Sequence, residues 1–211
     1  EAGLVSPGLF IPVLEETGLI IEVGKWVMRQ ALIDLDAWCS AGAEPVRIAV
    51  NVSAFQLRQK GFVDDVRKVV EAREDLAGSL EMEITESLLM ENIEENIPKL
   101  NAIRELGATV AVDDFGTGYS SLSYIAKLPI SALKIDRAFI MNLAESPDSV
   151  SIVQTIISLA HSLRLNVVAE GVETAEQEKL LSLFRCDEAQ GFWFGRPVPA
   201  DRTLELLRKA V

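Results

Sequence analysis

Histidine occurs once in these 211 residues, at His161, and cysteine twice, at Cys39 and Cys186. So small a supply argues against thiolate or imidazole metal sites, which need clustered Cys and His. His161 falls in a helical stretch, so a Ser-His-Asp triad has no support. The cysteines lack metal-type spacing and read as reduced, half-buried thiols of a reducing compartment. Positive charge is also short. Lys and Arg number 20 against 32 Asp and Glu, for a formal net charge of -12. Nucleic-acid polymers are held mainly by Lys and Arg at phosphates, so a polymer partner is not expected. A small phosphate ligand stays open if metal ions bridge the like charges. No apolar run reaches the ~20 residues of a membrane span. No signal peptide is visible, and no G-x-G-x-x-G or Walker loop occurs. The chain begins at Glu1-Ala2-Gly3 without methionine, as if cut from something longer.

What is present is an ordinary globular composition, 49% apolar and 25% charged, of a length that suits one domain. Six short apolar runs read as strands: 46–53, 79–85, 109–115, 132–139, 166–172 and 189–195. Helical patterns lie between them. Residues 19–42 carry apolar residues at helical spacing and stop at Gly42, and 95–107 stop at Gly107, with Pro98 early in the helix. Residues 146–165 are amphipathic with a Ser or Asp N-cap available, 174–184 open on a Thr174–Gln177 capping box, and 200–211 close the chain. Strand–helix alternation predicts a parallel sheet covered by helices. An open doubly wound sheet and a closed barrel both satisfy it.

Each strand has one conspicuous polar residue near its C-terminal end: Asn51, Glu83, Asp113, Lys134, Glu170 and Gln190. Residues two apart share a face of a strand. One acid at a strand end is usually a helix cap or a solvated loop residue. Six polar residues at the same end fit the functional mouth of a barrel instead. Several carboxylates close together repel unless cations join them, and an oxygen-rich set suits Mg²⁺ or Mn²⁺. A pair of such ions points to phosphate-ester hydrolysis, with Asp113 and Asp114 bridging them and Lys134 stabilising charge or orienting water. At this level another metal-dependent barrel enzyme, such as an enolising one, remains open.

The stretches "SPGLFIPVLEETGLI", "NVSAFQL", "EMEITES", "VAVDDFGTGYSSLSYIAKLP", "LKIDRAFI", "VVAEGVET" and "CDEAQGFWFGRP" resemble the EAL-domain cyclic di-GMP phosphodiesterases. They occur in family order and cover essentially residues 1–211, expected as a partial EAL domain. The resemblance implies an α/β fold, a TIM-type (β/α)8 barrel with six of eight strands in this chain. It implies two Mg²⁺ or Mn²⁺ ions and hydrolysis of cyclic di-GMP to linear 5′-pGpG; the alternative is an inactive cyclic di-GMP receptor. By motif, Asn51, Glu83 and Asp113 match ligands of one ion, and Asp113, Asp114 and Glu170 match those of the second. Lys134 matches the residue that positions or activates the attacking water. Gln190 and Glu173 match residues supporting substrate and metal geometry, Asp136 and Arg196 match the guanine and phosphate pocket, and Glu86 matches the anchor of the loop after Asp114. Ser131, Arg185 and Phe192 depart from common family residues, all outside the acidic ring.

The family's naming Glu-Ala-Leu signature, which carries a further metal ligand, falls upstream of this chain's "GLVSPGLFIP". The chain alone is therefore expected to be weakly active or inactive. The resemblance also implies a homodimer, with segments 119–127 and 148–165 as candidate surfaces, and a parent protein with an N-terminal sensory or diguanylate-cyclase-type domain. The location implied is cytoplasmic, with the parent able to be tethered to the inner membrane.

Overall fold

The computed structural model describes residues 5–117 and 122–208. The start at Glu1-Ala2-Gly3 and residues 119–121 of the candidate surface 119–127 lie outside the described residues.

Two helices come first, α1 (Pro7–Thr17) and α2 (Ile20–Ser40). Six strands follow: β1 (Ile48–Asn51), β2 (Leu80–Thr85), β3 (Thr109–Phe115), β4 (Ala132–Ile135), β5 (Asn166–Glu170) and β6 (Glu188–Gln190). All pair in parallel and in sequence order. Parallel neighbours need crossovers. These are α3 (Ala54–Arg58) and α4 (Phe62–Glu71) after β1, and α5 (Glu86–Glu91) and α6 (Ile93–Glu105) after β2. Then come α7 (Leu122–Ile125), α8 (Arg137–Met141), α9 (Pro147–Ser162), α10 (Ala175–Leu183) and the closing α11 (Ala200–Leu207). Among the described residues, no helix is long and apolar enough to cross a membrane.

The alternation of each strand separates two environments. Val50, Met82, Ile84, Val112, Leu133, Ile135 and Val167 face the helices and are almost wholly buried, with Met28, Leu35, Val66, Leu100, Ile103, Val153 and Ile157 across from them. Burying one such side chain contributes about 1.5–3 kcal/mol. The other face is lined by small residues at mid-strand, Ala49, Ala111 and Ala132, with the polar residues beyond them. The sheet curls around this face. Arg47, just before β1, pairs with Glu81 of β2 at 3.2 Å and also with Glu188 of β6, so the first and last strands approach across the interior. The result is a half-barrel of TIM type.

The elements expected from sequence are present, with shifted ends that have local causes. β4 stops at Ile135, not 139, because Asp136 accepts a hydrogen bond from the Ala138 N–H at 2.7 Å and starts α8. β6 ends at Gln190, not 195: the Trp193 N–H donates to Val172 O at 3.0 Å and the chain turns. α6 starts at Ile93, so Pro98 is its sixth residue and not part of the entrance. The Asn96 amide donates to Leu88 O and Leu89 O at 3.4 and 3.2 Å, joining α6 to the end of α5. The capping boxes at Ser53–Gln56 and Thr174–Gln177 and the Ser146 cap are all formed. Cys39 and Cys186 are free and half-buried. His161 lies on α9 and meets Asp187 at 2.9 Å.

Candidate active site: an acidic cluster around a buried lysine

The C-terminal ends of β1 to β6 bring Asn51, Glu83, Asp113, Lys134, Glu170 and Gln190 to one mouth of the half-barrel. Lys134, 3% exposed, sits among the acids. Its Nζ pairs with Glu83, with Glu170 Oε1 at 2.5 Å, and with Asp113 Oδ1 at 3.4 Å. Asn51 donates to Glu83 Oε2 at 3.1 Å, and Gln190 donates to Glu170 Oε1 at 2.6 Å. The two amides thus fix two of the carboxylates.

Strict alternation would send Asp114 to the face opposite Asp113. The pairing of β3 with β4 slips between Val112 and Phe115, and Asp114 takes a left-handed φ of 54°. Such a bulge re-aims a side chain, and Asp tolerates this region better than most residues. Oxygens of Asp113, Asp114 and Glu170 then lie within 4.8 Å of one another. After this pair the chain turns at Gly116, at φ 101°, where a Cβ would come within 2.9 Å of the Phe139 ring. The Gly116 N–H donates to Glu86 Oε2 at 2.8 Å, and Glu86 is 2% exposed.

The electrostatics follow from burial and sharing. Burial raises the carboxyl pKa of Glu83 and Glu170, and Lys134 offsets this only in part. Burial also opposes the charge on Lys134, but its bonds to Glu170 and Glu83 prevail and its pKa is raised. The asymmetry is physical: one cation collects several carboxylates, while each carboxylate receives a share of one cation. Asp114 is pushed up to about 6 by burial, then by Asp113 and by its contact with Asp136. Asp113 Oδ1 is buried with no hydrogen-bond partner among the described residues; Lys134 at 3.4 Å lacks hydrogen-bond alignment.

The remaining sequence-predicted residues lie around this cluster. Asp136 caps α8 and adjoins Asp114. Arg196 stacks on the Phe192 ring, 4.6 Å from its centroid, and lines a cleft of about 680 Å³ with Glu170 and Gln190. Glu173 does not join the acidic cluster; it accepts a hydrogen bond from Arg137 at 2.7 Å. Sequence reasoning passed over Arg137, which lines the same cleft. Its signal was its place directly after Asp136. Of the buried glutamines bonded to backbone, Gln177 was visible only as a capping-box member, and Gln56 was not singled out.

The EAL domain family model matches residues 1–197. The cyclic di-GMP phosphodiesterase NbdA of Pseudomonas aeruginosa is 46% identical over 206 residues, covering 98% of this chain and 26% of NbdA. The bifunctional diguanylate cyclase/cyclic di-GMP phosphodiesterase MucR of the same species is 43% identical over 204 residues, 97% of this chain and 30% of MucR. The chain therefore spans between a quarter and a third of the length of these relatives. Among solved structures, the PaMucR phosphodiesterase in its c-di-GMP complex superposes with a TM-score of 0.92 at 42% identity, covering 96% of this chain and 82% of that one. The EAL domain of Mycobacterium smegmatis DcpA gives 0.83 at 39% identity, over 89% and 85%. With the half-barrel and the strand-end acids of its fold, this chain belongs to the EAL domain family.

Proposed function

We propose that this chain is the core of a metal-dependent cyclic di-GMP phosphodiesterase whose product is linear 5′-pGpG. The observation that carries the reading is the triad of oxygens from Asp113, Asp114 and Glu170 within 4.8 Å, where Asp113 Oδ1 has no hydrogen-bond partner among the described residues. Three carboxylates this close fit Mg²⁺ or Mn²⁺, and the all-oxygen set suits those hard ions. Asp113, Asp114 and Glu170 would hold one ion; Asn51, Glu83 and Asp113 are assigned to a second. When bound, such ions polarise the phosphoryl oxygens and make water a stronger nucleophile.

The chain's own residues divide the remaining work. In the reaction the water oxygen bonds to phosphorus, the P–O3′ bond breaks, and a proton ends on the departing oxygen. Lys134, its pKa raised, stays protonated at neutral pH. It therefore acts as a hydrogen-bond donor that orients water or receives phosphoryl charge, not as a base. Gln190 and Lys134 together set the rotation of the Glu170 carboxylate. Glu86, through the Gly116 N–H, holds the turn that presents Asp114. The cleft lined by Arg196, Phe192 and Gln190 offers an aromatic and a cationic surface for a base and a phosphate.

The test is chromatography of cyclic di-GMP incubated in Mg²⁺ with this chain and with one extended upstream. The extended form is expected to accumulate 5′-pGpG, with little or none from the shorter one. Binding without turnover by the extended chain would favour a receptor, and neither binding nor turnover would overturn the reading. A homodimer through segment 119–127 or 148–165, a location in the cytoplasm and attached regulatory domains belong to the same proposal.

A further inference from the structure

Arg137 is built into the mouth more firmly than a surface arginine needs to be. It opens α8 directly after Asp136, and its stem lies over the residue following Glu170. That residue is Gly171, at φ 72°; a Cβ there would sit 2.3 Å from Arg137 Cγ and 2.8 Å from Cδ. Only glycine leaves this seat open. Arg137 Nη2 donates to Glu173 Oε1 at 2.7 Å. The Glu173 backbone is fixed in turn, because its N–H donates to Gln177 Oε1 at 2.7 Å. Gln177 is 5% exposed, and its amide also donates to Ile140 O at 3.0 Å and Met141 O at 3.3 Å. One buried side chain thereby ties the end of α8 to the segment that orients the arginine.

The Arg137 side chain is nevertheless 53% exposed, and it lines the 680 Å³ cleft beside Glu170 and Gln190. The lining includes two cations, Arg137 and Arg196. In a chain of net charge -12, an anion entering beside Glu170 needs local positive charge. A guanidinium fork matches phosphate oxygens, and an exposed ion pair such as Arg137–Glu173 is weak enough to leave donors available. We propose that Arg137 is a phosphate-binding residue of this cleft, taking one phosphate of a cyclic dinucleotide, with Gly171 and Glu173 as its seat. The inference rests on the cyclic di-GMP reading above.

Titration calorimetry with a phosphorothioate analogue of cyclic di-GMP, in Mg²⁺ and at two salt concentrations, tests it on the upstream-extended chain. Arg137→Gln should bind about 10- to 100-fold more weakly than the unmodified protein. Its affinity should also fall less steeply with salt, since one screened charge contact is gone. Arg137→Lys should recover part of the loss by restoring charge without the fork. A purely structural role would move neither the salt dependence nor the lysine variant in this way. Arg137→Gln binding with unchanged affinity and salt dependence overturns the assignment of Arg137 alone. No binding by the unmodified protein overturns the cyclic di-GMP reading and this assignment with it.

Discussion

Replacing Lys134 with Met removes the cation shared by Glu83, Asp113 and Glu170 while keeping a side chain of similar length. Lys134, Glu83 and Asp113 are all less than 9% exposed, so water cannot readily take the cation's place. Stripping one partner from a buried ion pair costs about 3–5 kcal/mol, a large part of a typical total of about 5–15 kcal/mol. With a urea slope of roughly 2.5 kcal/mol/M, the unfolding midpoint should fall by about 1–2 M in EDTA at pH 7.5. The deficit should shrink as pH drops. Burial already raises the pKa of Glu83 and Glu170, and without Lys134 only the amide bonds from Asn51 and Gln190 are left to oppose it. A carboxyl whose folded pKa lies above its unfolded value binds protons more readily when folded, so stability rises as pH falls toward that pKa. Mg²⁺ at pH 7.5 should narrow the gap as well, by meeting the same acids. A Lys134→Met midpoint within about 0.5 M of the parent in EDTA, against the shift computed from the urea slope, would refute the account of a lysine that holds the site together.

Other outcomes follow from the same geometry. Asp113→Ala in the upstream-extended chain should lower cyclic di-GMP turnover at least about 100-fold, since even outer-shell changes at metal sites cost 10- to 100-fold; chromatography of the nucleotides reads it. Glu86→Ala leaves the Gly116 N–H without its carboxylate and should cost about 1–3 kcal/mol in urea unfolding, with faster hydrogen exchange at Gly116. Mn²⁺ should bind more weakly at pH 5.5 than at 7.5, with proton release, because Asp114, pushed up to about 6, must lose its proton first; calorimetry in two buffers of different ionisation enthalpy checks this. Burial pushes the Cys186 thiol up to about 11, so native Cys186 should react slowly with iodoacetamide at pH 8 and quickly after unfolding, as mass spectrometry can follow.

Much of the architecture could be read along the chain because its causes are local. Apolar runs separated by helical patterns gave the six strands, their order and their parallel sense. The Thr174–Gln177 cap was readable because a capping box is written in four consecutive positions. The strand-end residues were legible because side chains two apart share a face. Strand ends were less so. Asp136 and Trp193 stop β4 and β6 through bonds to a helix start and to Val172, partners that apolar patterning does not mark.

The sequence by itself determined which residues stand near the ends of the six strands at the mouth, and that they are acids, amides and one lysine. Only the tertiary structure decided how they meet. The slip between β3 and β4 swings Asp114 to the side of Asp113 and Glu170, against the alternation that the chain alone implies. The curl of the sheet brings Lys134 of β4 to Glu83 of β2 and Glu170 of β5. Gly171 and Glu173 seat an arginine that lies more than thirty residues earlier. Each of these depends on strand pairing and curvature, which are set by packing across the whole sheet, whereas the identity and spacing of the residues are fixed along the chain.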